Sequence, residues 1–473
     1  MDAIPHLFPD VVWVPGDLDD DHRYSHLSSC EELAHTQMKC IQFILCLLVA
    51  TTVLRAVPDT CSNVIVPLNV DITRNLTKTL FESNAVPFIQ PMVVSINATS
   101  NSRLFDGARI PKKVDKPYFR VSVNTMVGFI QDGMKWFKPT LDLGPRTNVG
   151  DELTKYGTLK IVDGKPVYTI NPNYGDTLGL ATSLMNEIFR DALDSSMLIL
   201  PEKAPTLFGY QPDTRVLLPT TENLLALLRA RPEYKVLLAS SPSTAAQLDS
   251  LVSRLKLNSY LTLPPGANMN VLVAAVPQLE IGSIFGTEIM IRFIPPVEFD
   301  KNVGKFAFWG GAIRHSLSQY FPEDWFDMAA QFGYQGTNLK NTVGYTNATL
   351  DATATIFNFN LHASKRFWEV LDLYSGISYE TISVNSTYTY PLPQEIQLQL
   401  GLLPLPPSPG APSNPDLPCY PGDTSPQSSN IHSAAQNIKW TIGATGIIDA
   451  FRISVDYSVS QFNVFTAGIK YTL

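Results

Sequence analysis

From Gln461 to Leu473 the chain alternates apolar and polar positions up to its last residue. Phe465, Ala467, Ile469, Tyr471 and Leu473 share one face of an extended segment, and Thr466, Gly468, Lys470 and Thr472 share the other. Strict period-two alternation predicts a strand in a sheet with one apolar and one polar face. The same pattern recurs upstream. Phe119, Val121, Val123, Thr125, Val127 and Phe129 oppose Arg120, Ser122, Asn124 and Gly128. Thr287, Ile289, Ile291 and Phe293 oppose Glu288, Met290 and Arg292; Phe326, Met328, Ala330, Phe332 and Tyr334 oppose Asp327, Gln331 and Gly333. Leu371, Leu373, Ile377 and Tyr379 oppose Asp372, Gly376 and Glu380; Ile438, Trp440, Ile442 and Ala444 oppose Asn437, Lys439, Thr441 and Gly443. Phe451, Ile453, Val455, Tyr457 and Val459 oppose Arg452, Ser454, Asp456 and Ser458. Less regular strands surround 271–282, 305–315 and 353–362, which makes about ten strands, with further pairs near 134–141 and 159–170.

Two stretches do not read as strands. Residues 72–105 carry a helical apolar spacing (Leu76, Leu80, Phe81, Val86, Ile89) broken at Pro87 and Pro91. Residues 176–263 hold further helical stretches at 181–193, 221–230 and 243–257, whose leucines predict a small local core. Alternation alone suits a two-layer sandwich or a barrel with lipid outside and a polar lumen. Glycines on the polar face (Gly128, Gly333, Gly376, Gly443, Gly468) point toward a crowded lumen. Loop lengths favour the barrel. With Leu473 taken as periplasmic, counting strands backwards puts short turns at 283–285, 317–324, 363–367 and 447–448 on that side. The longer connections at 295–303, 335–347 and 385–431 fall outside, as in bacterial barrels. The strand at Phe119 then rises from the periplasm, so the 57–117 segment is expected to plug the lumen or sit at the periplasmic rim. Insertion 142–268 becomes an external or lumen-filling domain, and the Pro-rich tract 403–426 a solvated surface loop.

Composition suits an exported β protein. Charged residues are 16%, aromatics 10% and the net charge −8, while mean hydropathy is +0.03. Without a basic cluster, nucleic acid is not an expected partner. Met38-Lys39, the apolar run 40–54 and Ala56 have the layout of a cleaved signal peptide, which makes 1–37 an upstream extension. The apolar run is too short for a comfortable spanning helix. Five cysteines are present, of which Cys61 and Cys419 follow that segment, without metal-ligand spacing. A bond between those two would require the N-terminal segment to thread the lumen. The expected location is the outer membrane of a Gram-negative bacterium.

No phosphate loop, nucleophile elbow or metal spacing is present, so no catalytic, cofactor or metal residues are assigned and the protein is not expected to be an enzyme. His315 and Ser316 are neighbours on a strand and point to opposite faces, so they form no nucleophile–base pair. A membrane-embedded lipid hydrolase, with His362 or His432 facing other serines, is a third reading. The candidate lumen residues are Arg120, Glu288, Arg292, Asp327, Asp372, Lys439, Arg452, Asp456 and Lys470. They predict either cross-strand ion pairs that fill the lumen or a charge-lined solute path.

The C-terminal strand resembles those that close outer-membrane β-barrels. In that resemblance Ile469, Tyr471 and Leu473 are the signal read by the barrel-assembly machinery, with Leu473 standing where most members have Phe. The segments 261–270, 286–295 (GTEIMIRFIP), 310–317 (GGAIRHSL) and 326–329 resemble an uncharacterised family of Bacteroidota-type outer-membrane barrels. Gly286, Thr287, Glu288, Arg292, Pro295, Arg314 and His315 carry that likeness, which covers 83–141 and 261–473 and leaves the insertion out. Residues 84–97 resemble the family's N-terminal helical segment. A looser likeness is to FadL-like channels for hydrophobic compounds. The resulting expectation is an all-β antiparallel transmembrane barrel of about 10–14 strands, spanning 118–473, with a plug-like N-terminal segment. The expected function is passive transport of a small hydrophobic or amphiphilic solute, and the alternative is a structural, surface-interaction barrel with a closed lumen. Outer-membrane lipid and a hydrophobic small molecule are the expected partners. A lumen filled by ion pairs and aromatics would favour the second function, and a continuous wet path the first.

Overall fold

The computed structural model describes residues 68–112, 116–146, 154–170, 174–255, 257, 259–298, 305–321, 325–343, 348–390, 392, 397–398 and 425–473. The expected signal peptide, Cys61, Cys419 and most of the Pro-rich tract lie outside them. Ten strands close into an antiparallel barrel: β1 (Tyr118–Phe129), β2 (Val271–Ile284), β3 (Thr287–Glu298), β4 (Lys305–Ser316), β5 (Asp327–Val343), β6 (Ala348–Phe367), β7 (Leu371–Tyr390), β8 (Gln427–Ile448), β9 (Phe451–Val459) and β10 (Val464–Thr472). Each pairs with its neighbours in sequence, and β1 closes the seam, with Val123 opposite Ile469 of β10 and Pro277 of β2. Closure leaves no sheet edge open to another chain. One end, here the tail end, carries Leu473 and the strand ends Ile284 and Thr287, Ser316 and Asp327, Phe367 and Leu371, and Ile448 and Phe451. The opposite cap end carries the strand ends Phe129 and Val271, Glu298 and Lys305, Val343 and Ala348, Tyr390 and Gln427, and Val459 and Val464.

Burial separates the two faces. Val123 is 55% exposed, Ile377 60% and Ile469 58%, whereas Glu380 and Asn360 are fully buried. A water-soluble sandwich would show the reverse, apolar side chains in and carboxylates out. Aromatic rings mark both rims of the apolar band. Trp309, Tyr334 and Phe357 touch at the cap-side rim, with centroids 5.3 and 4.9 Å apart. Phe451 and Tyr471 touch at the tail side, where Trp325 and Trp368 are exposed.

Strands β5 to β8 run further than alternation predicts. Where connections are expected at 335–347 and 385–431, β5 runs on to Val343, β7 runs on to Tyr390 and β8 begins at Gln427, and the turns expected at 363–367 and 447–448 move to 368–370 and 449–450. Similarly, 295–298 belongs to β3. The cause is a reversal of polarity partway along each strand. On β6, Phe357, Phe359 and Leu361 face out and Asn358, Asn360 and His362 face in. Nearer the cap end, Ala354 and Ile356 face in while Asp351 and Thr353 face out. Above the apolar band, the barrel wall is built like that of a water-soluble protein.

The N-terminal segment is a single helix, α1 (Leu68–Ser100), that continues through Pro87 and Pro91 instead of breaking there. Proline removes the N–H that would bond the carbonyl four residues earlier. At Pro87 that carbonyl belongs to Ser83, which accepts from Thr140 Oγ1 at 3.4 Å. The insertion forms a cap with helices α2 (Tyr174–Asp194), α3 (Thr221–Ala230), α4 (Pro232–Ser240) and α5 (Pro242–Arg254). Thr220 caps α3 by accepting from the Asn223 N–H at 3.3 Å. Leu184, Phe189, Leu228 and Leu237 build the cap core together with Leu76 and Leu80 of α1. The segments near 134–141 and 159–170 add no barrel strands. Trp136–Phe137 pairs with Ala204–Pro205, and Gly157–Val162 with Lys165–Ile170, both within the cap.

Candidate functional site

Contacts with β8 show that α1 runs down the lumen. Ser429 donates to Glu82 at 2.9 Å, Ser433 to Gln90 at 2.5 Å, Lys439 to the Ala98 carbonyl at 3.2 Å and Thr445 to the Asp106 carbonyl at 2.8 Å. Residue numbers rise together on both elements, so α1 enters at the cap end and points its C-terminus at the tail end. Of the two placements expected for this segment, α1 therefore takes the lumen and not a rim. Its upper turns are tied to the cap mouth. Asn84 Nδ2 donates to the Thr140 carbonyl at 2.7 Å, the Thr140 N–H returns to Asn84 Oδ1 at 2.9 Å, and the Leu207 N–H donates to the Phe88 carbonyl at 3.0 Å.

A helix C-terminus leaves four carbonyls without helical partners and a partial negative charge. In water these are solvated, but here they are enclosed and the barrel wall supplies cations. Arg292 on β3 donates to the carbonyls of Ser100, Ser102 and Arg103 at 2.9, 2.9 and 2.5 Å, and to Gln278 at 2.9 Å. Lys439 takes Ala98 while pairing with Glu380 at 2.5 Å. The Asn97 carbonyl accepts from Asn101, and the Thr99 carbonyl from the Ser102 N–H at 3.1 Å. Every carbonyl of the last turn has a donor.

Below the helix, residues 101–111 cross the lumen through a lattice of charges. Arg103 donates to Tyr374 at 2.6 Å and to Asp456 at 2.8 Å. Asp106 pairs with Lys470 at 2.8 Å, and Lys470 also grips both oxygens of Glu280 at 2.7 Å. Glu288 accepts from Arg120 at 2.8 Å and from Arg314, whose other nitrogen donates to the Gly107 carbonyl at 3.0 Å. Ser364 receives the Ala108 N–H at 2.8 Å. Phe105 stacks on His362 with centroids 4.3 Å apart, and Leu104 packs on Met290 and Ala312. Three of the five polar-face glycines make room for these groups, and a fourth makes room for Phe462 between β9 and β10. A Cβ would strike Phe462 at Gly128, His362 and Phe105 at Gly376, Tyr374 at Gly443, and Asn124 at Gly468, whereas at Gly333 the nearest atoms stand 3.7 Å away.

The sequence-predicted residues fall as follows. Arg120, Glu288, Arg292, Asp372, Lys439, Asp456 and Lys470 are buried in the lumen, and Asp327 and Arg452 are half-buried. Asp372 pairs with Arg366 at 2.7 Å near the tail-end turn and takes no part in the central lattice. The motif residues are strand neighbours. Phe285 and Gly286, with φ of 50° and 73°, form a tight hairpin turn that a glycine favours. It sets Ile284 opposite Thr287, and on the other edge of β3 Thr287 lies opposite His315 and Glu288 opposite Arg314. Arg314 points in, while His315 faces away from the lattice and meets Thr287 at 2.8 Å. Pro295 is exposed on β3. Ile469 and Tyr471 face out, and the Leu473 N–H donates to the Phe119 carbonyl at 2.8 Å. Sequence reasoning missed Arg103, Asp106, Glu280 and Tyr374. Glu280 had a usable signal, since Gln278 and Glu280 alternate with Leu279 and Ile281 along β2. Arg103 and Asp106 sit in non-periodic chain and had none. Among the described residues, no group of three or more His, Cys, Asp or Glu could hold a metal ion.

The chain matches the family of unknown function DUF6588 over residues 38–473 and belongs to that family. The match runs through the insertion, which the likeness seen in the sequence had left uncovered. Among curated proteins none matches. Among solved structures the chain is similar to the translocator domain of the autotransporter NalP from Neisseria meningitidis, at 7% identity over 83% of this chain and 98% of that one, with a TM-score of 0.19. It is also similar to a Pseudomonas aeruginosa FadL homologue, at 8% identity over 77% and 95%, with a TM-score of 0.20. At such identities and scores these likenesses carry no argument about activity.

Proposed function

We propose that this member of a family without an assigned activity is an outer-membrane barrel closed by its own chain, with its working surface at the cap end. The apolar band and its aromatic rims support the membrane location, because only a closed barrel or a helix satisfies its backbone in lipid. Export through segment 38–56 and insertion by the assembly machinery through Ile469, Tyr471 and Leu473 belong to the same reading. The closed lumen is carried by one observation: α1 is held at both ends. Its upper turns are part of the cap core and its foot is clamped by Arg292 and Lys439 from the wall. A diffusive path for a hydrophobic solute would need that helix to leave, which breaks the cap core and the clamp together. The arrangement therefore favours the structural and surface-interaction reading over passive transport. The cap and the cap-side ends of the long strands β5 to β8 lie at that end, which is the face offered to partners.

The test is single-channel recording of the purified full-length protein in planar bilayers, beside a heat-modifiable gel. A gel shift with no steady conductance is expected, and discrete long-lived openings of the unaltered protein would overturn the closed reading. Orientation is tested in intact cells with a membrane-impermeant maleimide. In a background carrying Cys61→Ser and Cys419→Ser, Glu202→Cys in the cap should label and Glu369→Cys in the tail-end turn should not; the opposite pattern would invert the assignment.

A further inference from the structure

On the outer wall near the tail end, a groove of about 310 Å³ opens between β6, β7 and β8. That is within the ~300–1,000 Å³ of small-molecule sites. Its floor is made where the small residues Ala363 and Ser375 lie opposite each other and where Gly443, opposite Tyr374, carries no side chain. Phe326, Leu373 and Ile442 form the walls. The groove does not communicate with the lumen, because buried Tyr374 closes it from behind and is fixed by hydrogen bonds to Arg103 at 2.6 Å and Asp456 at 2.9 Å. Whatever fills it comes from the surrounding band.

Lys365 stands at the rim and is exposed. Its ammonium lies 5.6 Å from the Trp325 ring centroid and 6.0 Å from that of Phe367. Cations near aromatic faces are drawn to them by the ring quadrupole, so the side chain is directed to the rim of the apolar band. There it meets the level at which lipid headgroups lie, and the groove below it meets acyl chains. An apolar slot and a cation at one end, open only to lipid, match an amphiphile with a negative head.

We propose that this groove is a binding site for one glycerophospholipid of the tail-end leaflet, with an acyl chain along Ala363 and Ser375 and the phosphate at Lys365. The proposal rests on the membrane reading above, and its test separates the two. The full-length protein is extracted in mild detergent and titrated with dioleoylphosphatidylglycerol, and bound lipid is counted by native mass spectrometry. One equivalent should resist delipidation in the unaltered protein. Ala363→Phe fills the slot from the lipid side, where an apolar side chain is tolerated, and should lower retention about tenfold. Lys365→Gln should lower it severalfold and abolish the preference over dioleoylphosphatidylcholine. Displacement by equimolar oleate would show a fatty-acid site and overturn the phospholipid assignment. A gel shift in all three proteins with equal retention would leave only annular lipid and overturn the site alone. Absence of a gel shift in the unaltered protein would overturn the membrane reading and the site with it. If Ala363→Phe fails to assemble, Lys365→Gln decides by itself, since an exposed rim residue is not needed for folding.

Discussion

Arg292 reaches three carbonyls at the foot of α1 because a guanidinium offers five donors in a fixed fork, which an ammonium cannot match. Arg292→Ala leaves those carbonyls enclosed without it, at ~1–3 kcal/mol for each group left unsatisfied. The barrel should still show its gel shift, while amide hydrogen exchange over 97–106 accelerates about tenfold or more, at ~1.4 kcal/mol per tenfold. Arg292→Lys should fall between, and unchanged exchange in the alanine variant would remove the capping role. Glycines test the same crowding by steric means. Gly443→Ala drives a methyl group into the Tyr374 ring and through it disturbs Asp456 and Arg103. Overpacking of this kind costs ~1–3 kcal/mol. Gly333→Ala meets nothing nearer than 3.7 Å and should leave the urea midpoint in detergent unchanged. Equal midpoints for the two variants would mean that the lumen is looser than the contacts require.

For the elements, the reversal of polarity along β6 sets where lipid ends. Leu361 faces out within the apolar band, whereas Thr353 faces out above it. A lysine on the lipid face costs ~2–4 kcal/mol at the bilayer midplane and little near or beyond the interface. Leu361→Lys should therefore cut the folded fraction on a heat-modifiable gel sharply, and Thr353→Lys should not. Equal effects would refute the boundary drawn here. The same reversal explains which parts of the fold were legible. Inside the band, outward Phe119, Ile377 or Ile469 alternate with inward polar residues, and one parity rule finds both strand and face. Above it, the parity of apolar residues switches at Ile356 and Phe357, and a reader following one face sees the strand end at Gln335 or Asn385. The charged lumen wall was legible because Glu288, Arg292, Lys439 and Lys470 fall on the polar parity. The chain they hold was not, since nothing periodic marks Arg103 or Asp106. The continuity of α1 was hidden for another reason: the Ser83 carbonyl freed by Pro87 is satisfied by Thr140, more than fifty residues on along the chain.

At the scale of the whole molecule, the two anchorages of α1 are independent in space but not in effect. Leu76 and Leu80 hold the upper turns in the cap core, and Arg292 with Lys439 holds the foot. A helix fixed at either end still occupies the lumen, so loosening one anchorage should raise its motion without opening a path. Leu76→Ala costs ~2–5 kcal/mol for a buried leucine, and it should expose α2 to limited proteolysis while the bilayer current stays flat. Arg292→Ala combined with Lys439→Ala should give brief flickers, as the freed foot moves but the cap retains the helix. Only the triple variant is expected to show steady openings, an effect well beyond the sum of the two parts, because occupancy of the lumen fails only when both restraints do. Steady conductance after releasing the foot alone would mean that the cap does not hold α1. No conductance from the triple variant, with its gel shift intact, would mean that the lattice of Arg103, Asp106 and Lys470 closes the barrel without the helix and that the gate lies lower in the lumen.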